Sequence, residues 1–475
     1  ASNAGTINIK AREGALLDAT IKGQSAGARG GTLKLTLDRE NIYPSIGRYP
    51  GTAQNDQSQQ WKIALTQSQD SVPIGLKAGD RIEDHAPGRM KFAADRALQG
   101  GFEQLAFNAE HAVAFQGDVA LKTASGLRSL TVNAPVIESD GGQVKLDAAY
   151  VNMGNLSVYA SRQKPQSAQV GNGDLTVTAG HVDLTGHFAL SGFKKATIQS
   201  DNDIRLAGVV KDINPLRPEG SLIAASEVVM KARQIYASTL SAYTVSAPGQ
   251  LIQIARHGTP ASVLSAGSDI RFEAAAIKLE GLNTGEPGGA IKAPFGSVTL
   301  AADDIVLGEG SLVSVSGEQQ IIPFGRTDLT GRDYLYDIGE VNKAIGTPPE
   351  KRIALDGKNV EFKQGATLDV SGGGALLAYE WIKGIGGTHD VLSPGVSPNT
   401  YAVLPGVTGT VAPSDAQTLA EMALADVSAP LAGAAVYLSG APGLDARYYT
   451  LLPARFGILP GARGGWLSAP PCCRY

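Results

Sequence analysis

The chain has 475 residues, 41 basic against 45 acidic side chains for a formal net charge of −4, 58 glycines and only 6% aromatic residues. That balance gives no reason to expect nucleic acid or an anionic membrane surface as partner, and no run of eighteen apolar residues is present to span a membrane. So few aromatics argue against a large globular enzyme core, and point to a thin core of Val, Ile, Leu and Ala. No basic start followed by an apolar stretch is present, so export would need a leader outside this sequence.

Residues 1–39 alternate in the manner of short strands, with Ile7 and Ile9 after Gly5, and Leu33 and Leu35 after Gly31. The pattern is lost over 40–100, where a polar run from Gln54 to Gln60 leads into Trp61 and then into a mixed stretch with His85, Pro87 and Met90. This segment is expected to be an insertion or a distorted turn of the repeating structure.

From 101 to 317 a phrase recurs: apolar–x–apolar–x–Ala–x–x–apolar. It reads Leu130-Val132-Ala134-Ile137, Val144-Leu146-Ala148-Val151, Leu175-Val177-Ala179-Val182, Val228-Met230-Ala232-Ile235, Ile270-Phe272-Ala274-Ile277 and Val298-Leu300-Ala302-Ile305. The first, third and fifth positions share one face of a strand. The x–x pairs carry no shared hairpin chemistry, so the chain is expected to bend there rather than reverse, with Ala filling the inside of the bend. Repeats that bury an apolar face only by stacking on their neighbours define solenoids, and short strands without helical periodicity predict an all-β, parallel β-helix. Glycines open several copies (Gly117, Gly142, Gly173 and Gly296), where a turn needing positive φ is expected. The period is uneven: Leu175 lies 31 residues after Val144, Ile270 only 19 after Leu251. Leu130 stands 14 before Val144, too few for a full turn, so one of these two copies must lie on another face.

Residues 318–352 read as a second insertion, with Pro323, Pro348, Pro349 and the aromatics Phe324, Tyr334 and Tyr336, and 353–375 as a last β-helical turn ending in Gly372-Gly373-Gly374. The region 376–475 carries a different repeat: Tyr401 to Gly406, Tyr449 to Ala454 and Phe456 to Gly461, each expected to be a short strand stopped by Pro. Between them, Ser414 to Ala425 reads as a short helix capped by Ser414. Residues 463–475 break the composition and are expected to be a disordered tail holding the only cysteines, Cys472 and Cys473. Avoidance of thiols elsewhere suits a chain exported unfolded into an oxidising space.

Ile291 to Leu300, Ile305 to Leu307, Gly310 to Gly317, Ala366 to Gly372 and Tyr449 to Arg455 resemble filamentous haemagglutinin-type exoproteins, the secreted partners of bacterial two-partner secretion systems. The resemblance covers most of the chain, and the Leu-Pro segments are its most specific part. It implies a right-handed parallel β-helix, export through a dedicated outer-membrane transporter, a secreted or cell-surface location, and attachment to host-cell or bacterial receptors or glycans. It equally allows the stalk of a contact-dependent inhibition exoprotein. The Asn-Pro-Asn-Gly-type secretion motif and a recognisable toxin are both missing, so the chain reads as an internal or near-terminal segment of a longer exoprotein.

Parallel β-helices also host polysaccharide lyases and hydrolases, which need clustered acids. The candidates are Asp303-Asp304, read as solvated corner residues, and Asp201-Asn202-Asp203, read as a polar turn. None of the histidines (His85, His111, His181, His187, His257 and His389) has metal-ligand spacing with an acid, and His181 and His187 are expected to face solvent. No nucleophile elbow and no phosphate loop is present. The reading is therefore of a binding rod, not an enzyme, with no catalytic residue, cofactor or metal. Trp61, Tyr334 and Tyr336, in the two insertions, are the candidate aromatics for stacking on sugars.

Overall fold

In a computed structural model of the chain, the described residues are 2–12, 14–38, 61–69, 77, 79–80, 88–156, 167–209, 217–327, 334–338, 341–379, 385, 392, 400–405, 435–440 and 442–466. They are nearly all β, dominated by a 25-stranded sheet whose strand pairings, among the described residues, are all parallel. No described helix is long and apolar enough to cross a membrane.

The pairings resolve into three ladders. The first runs from Thr6–Ala11 through Gly31–Leu37, Phe102–Ala109 and Leu127–Asn133, and ends at Thr367–Asp369. The second starts at Gly14–Leu16, and the third at Val119–Leu121. Both of these end on one long strand, Arg352–Phe362. Where the strands are regular, the chain visits the ladders in one cyclic order. Long strands such as Ser297–Leu307 serve the second ladder with their first half and the third with their second. Inward residues of all three ladders meet in one apolar cluster. Val151, Val182 and Ile204 enter it from the first ladder, Ile137 and Leu190 from the second, and Val144, Leu175 and Ile198 from the third.

This arrangement explains the uneven period of the phrase. Val144, Leu175 and Val228 lie in the third ladder, and the closing Val151, Val182 and Ile235 lie in the first. The copy at Leu130 starts in the first ladder and closes in the second, at Ile137. The copies at Ile270 and Val298 start in the second and close in the third. The phrase therefore marks a corner, and each of the three corners uses it. Its Ala is nearly buried at Ala134, Ala148, Ala179 and Ala232.

Positive φ, the reason expected for the opening glycines, holds at Gly117 but not at others, where close approach of the preceding rung is the reason. Gly117 does have φ +68°, but Gly142 does not, and a Cβ there would lie 2.1 Å from the Gly117 carbonyl oxygen. At Gly296 it would lie 2.0 Å from the Ser268 carbonyl oxygen. Close stacking on the preceding rung excludes a side chain at both.

The described part of 40–100 joins the main sheet. Lys62–Thr66 and Arg89–Ala93 pair with each other in the second ladder, with the later strand placed next to Gly14–Leu16 and the earlier one next to Ala112–Phe115. Strand order is thus exchanged locally, as a distorted turn rather than an excursion. The short helix Ala94–Gln99 follows, burying Ala94 and Ala97. Ile321–Thr327, Tyr334–Ile338, Val341–Ile345 and Ala375–Tyr379 form a separate four-stranded sheet.

In the last region, Thr400–Val403 pairs antiparallel with Leu452–Pro453 and with Arg463–Trp466. Arg463 to Trp466 is thus a strand, not the start of a disordered tail, because Thr400–Val403 offers it a free edge. Residues 467–475, with both cysteines, lie outside the described residues, as does the expected helix at 414–425. The third Leu-Pro segment is also not a strand: Ala454–Ile458 forms a 3₁₀ turn whose Phe456 packs under the sheet. This region seats on a second apolar cluster that includes Leu240 and Phe295, both at positive φ (57° and 52°). The left-handed backbone costs about 1–2 kcal/mol per residue. It places both side chains in that second cluster, where they are buried.

Leu184 lies fully buried between Met153 and Leu206 of the neighbouring rungs. Leu184→Ala is expected to lower unfolding stability by about 2–5 kcal/mol, whereas Val370→Ala, at a position 59% exposed, should change it little. Chemical denaturation followed by circular dichroism reads both.

Candidate functional site

Parallel register stacks residue on residue, so an outward side chain meets its counterpart one rung away. In the first ladder the column directly outside the core holds Thr131, Asn152, Asp183, Arg205, Tyr236, Lys292, Ser314 and Asp369. Its middle is buried rather than solvated: Asp183 and Arg205 are 0% exposed. Arg205 Nε donates to Asp183 Oδ1 at 2.8 Å, and Arg205 Nη2 donates to Oδ2. Tyr150 Oη donates to Asp183 Oδ2 at 2.5 Å, and His181 Nε2 lies 3.1 Å from Oδ1. The adjacent column adds Asp203, gripped at 3.0 Å on each oxygen by Arg233.

Burial alone would raise the Asp183 carboxyl, but the Arg205 guanidinium, helped by His181, holds it well below the usual carboxylate range. Burial likewise opposes the charge on Arg205, and Asp183 overrides it. Burial and the neighbouring Asp183 charge both push Tyr150 up. An anion held this firmly, with its acceptor sites taken and no exposure, is a poor proton acceptor. The column works as a structural clamp. His181 is therefore not the solvent-facing residue expected. It stacks on Tyr150, with ring centroids 6.3 Å apart, and is 3% exposed. His187 is partly buried, with Nδ1 2.9 Å from Ser221 Oγ.

The sequence-derived aromatics do not form one surface. Trp61 is 4% exposed and belongs to the main core, its indole Nε1 donating to the Arg12 carbonyl at 2.6 Å and its backbone N–H to His111 Nδ1 at 3.0 Å. Its ring is enclosed because its segment is part of the ladders. Tyr334 and Tyr336 share one face of Tyr334–Ile338, which pairs with Val341–Ile345; their side chains lie outside the described residues. The exposed aromatic pair that is described is Tyr437 (55%) and Tyr448 (66%), directly opposite each other in the hairpin Ala435–Leu438 and Arg447–Thr450, with centroids 5.3 Å apart at 65°. The signal was present in Tyr448-Tyr449: strand alternation sends Tyr449 inward (1% exposed) and its neighbour outward.

Two of the candidate acids each meet a polar partner from the following strand. Asp303 lies 2.9 Å from Lys358 Nζ, and Asp304 accepts from Asn359 at 2.8 Å. An open cleft beside Ala94–Gln99, lined by Gln67, Asp95, Gln99 and Lys122, holds the single carboxylate Asp95, which accepts from Gln67 at 2.6 Å. Among the described residues no group of three or more His, Cys, Asp or Glu is placed to hold a metal. Comparison with known protein families, with characterised proteins and with solved structures finds no match.

Arg205→Met leaves Asp183 buried without its cation and is expected to cost about 3–5 kcal/mol, while Asp183→Leu with Arg205→Met should cost less than either single change. The Asp183 carboxyl is depressed on folding, so its contribution is complete above the unfolded value of about 3.9 and is lost as pH falls below it. Asp183→Asn should therefore be less stable at neutral pH and lose stability less steeply below about pH 4 than the parent chain, as read by denaturation midpoints against pH. The Tyr243 hydroxyl is fully buried with no hydrogen-bond partner among the described residues. Tyr243→Phe removes that unmet donor and should raise stability by about 1–2 kcal/mol in the same assay.

Proposed function

We propose that the chain is a right-handed parallel β-helical rod segment of a filamentous haemagglutinin-like adhesin, secreted or held at a bacterial cell surface, that mediates attachment to cells or surfaces. The observation that carries the proposal is the cyclic passage of the chain through three in-register parallel ladders around one apolar core. The sequence likeness at Ile291 to Gly317 and Tyr449 to Arg455 supports the family, and with it export through an outer-membrane transporter. Attachment belongs on surfaces outside the ladders, since the ladder interiors are filled. The Tyr437–Tyr448 pair suits stacking on the apolar face of a sugar ring.

The alternative, a carbohydrate-active β-helix enzyme, would need two or more carboxylates converging across a cleft. Asp203, Asp303 and Asp304 are each tied to a basic or amide partner instead, which favours the rod.

Binding of the purified chain to a glycan array and to cultured cells tests the attachment reading. Retention on a defined set of glycans is expected, weakened roughly tenfold by Tyr437→Ala with Tyr448→Ala. Uniform lack of binding to glycans and cells would remove it.

A further inference from the structure

The last circuit of the ladders is bare. Ile305, Leu307, Val313 and Val315 are 0–1% exposed, whereas Val360, Phe362, Leu368 and Val370, which continue the same columns one rung further, are 40%, 54%, 41% and 59% exposed. Among the described residues, Arg352–Phe362 and Thr367–Asp369 pair with the preceding rung alone, so one edge of each stays open. The described chain that follows does not cross this surface. After Gly372-Gly373-Gly374 it enters Ala375–Tyr379, which pairs with Ile321–Thr327 beside the rungs. Further on, Leu452 and Phe456 pack with Leu240 and Phe295, which belong to earlier rungs. Natural sheets usually cover or charge such open edges; here the inward positions are apolar.

The apolar positions of this circuit read nearly alike in both directions. Val360 and Phe362 flank Glu361; Leu355 and Ile353 stand six and eight residues before it, and Leu368 and Val370 seven and nine after it. A second copy, turned over about a twofold axis at right angles to the rod, brings its own last circuit to this surface with strand direction reversed. The circuit climbs from the second ladder through the third to the first, so an axis through the third ladder sets the low end of each copy against the high end of the other, and the gap between them is even. In the third ladder Phe362 then meets Phe362, and Glu361 stands opposite Lys363. On the other two sides Leu355 and Ile353 face Leu368 and Val370. The outward positions that oppose each other, Ala354 with Asp369 and Asp356 with Thr367, bring no like charges together. Open edges of this kind pair antiparallel at least as well as parallel.

We propose that the last circuit is covered by the same circuit of a second copy of the chain, in an end-to-end dimer. One patch meets itself, so the contact closes on its twofold axis and adds no third copy. The proposal rests on the last circuit alone and is independent of attachment.

Sedimentation velocity of the full chain under reducing conditions, from micromolar to submillimolar concentration, tests it. A monomer–dimer equilibrium with no larger species is expected, with Phe362→Glu plus Val370→Glu weakening association roughly tenfold or more. Those positions are already exposed, so the fold should persist, checked by an unchanged circular dichroism spectrum. Phe362→Cys, in a chain carrying Cys472→Ser and Cys473→Ser, sets one thiol against its copy across the axis. Mild oxidation should join that variant into a covalent dimer, while Val170→Cys, at an exposed position on an earlier rung, should stay monomeric. A monomer at all concentrations would overturn the proposal. So would species that lengthen without limit, or a dimer that the double Glu variant leaves intact.

Discussion

Parallel register places each side chain against its counterpart one rung away, about 4.8 Å distant. Everything else in the chain answers to that spacing. An inward column must be apolar along its whole length, as in the run Val151, Val182, Ile204 and Ile235. An outward column must tolerate its own neighbours. Where it is buried, as at Asp183, the next rung must supply the opposite charge, and Arg205 does. Where two rungs approach too closely for any side chain, as at Gly142 and Gly296, only glycine remains.

The buried charges bear on specificity more than on raw stability. A buried ion pair often contributes no more than apolar residues of similar volume, but a slip that skipped one rung would leave Asp183 facing Tyr236 in place of Arg205. An apolar column of Val, Ile and Leu has no such preference for its partners. The Asp183–Arg205 and Asp203–Arg233 pairs thus distinguish one register from others that the core alone would accept.

Strand alternation, the Ala at each bend and the all-β class were legible from the sequence, because they depend on neighbours a few residues apart. What could not be read depends on partners tens of residues away. Asp183 looks like any outward polar residue until Arg205 is placed beside it, and His181 looks solvated until Tyr150 stacks on it. Trp61 follows a polar run and so reads as exposed, although Lys62–Thr66 returns it to the core. Arg463 to Trp466 has a composition that suggests disorder, but a free edge at Thr400–Val403 orders it. Of the exposed aromatics, the Tyr437–Tyr448 pair was visible only as alternation within a short hairpin.

The corner phrase has one more consequence. Because a single eight-residue phrase serves all three passages between ladders, moving a segment by one ladder would keep its inward residues inward and its bends where bends are required. Such a chain can gain or lose a third of a circuit without changing which residues are buried, so its length can vary in phase steps smaller than a whole circuit. Only the charged columns, whose partners are specific, would register the shift.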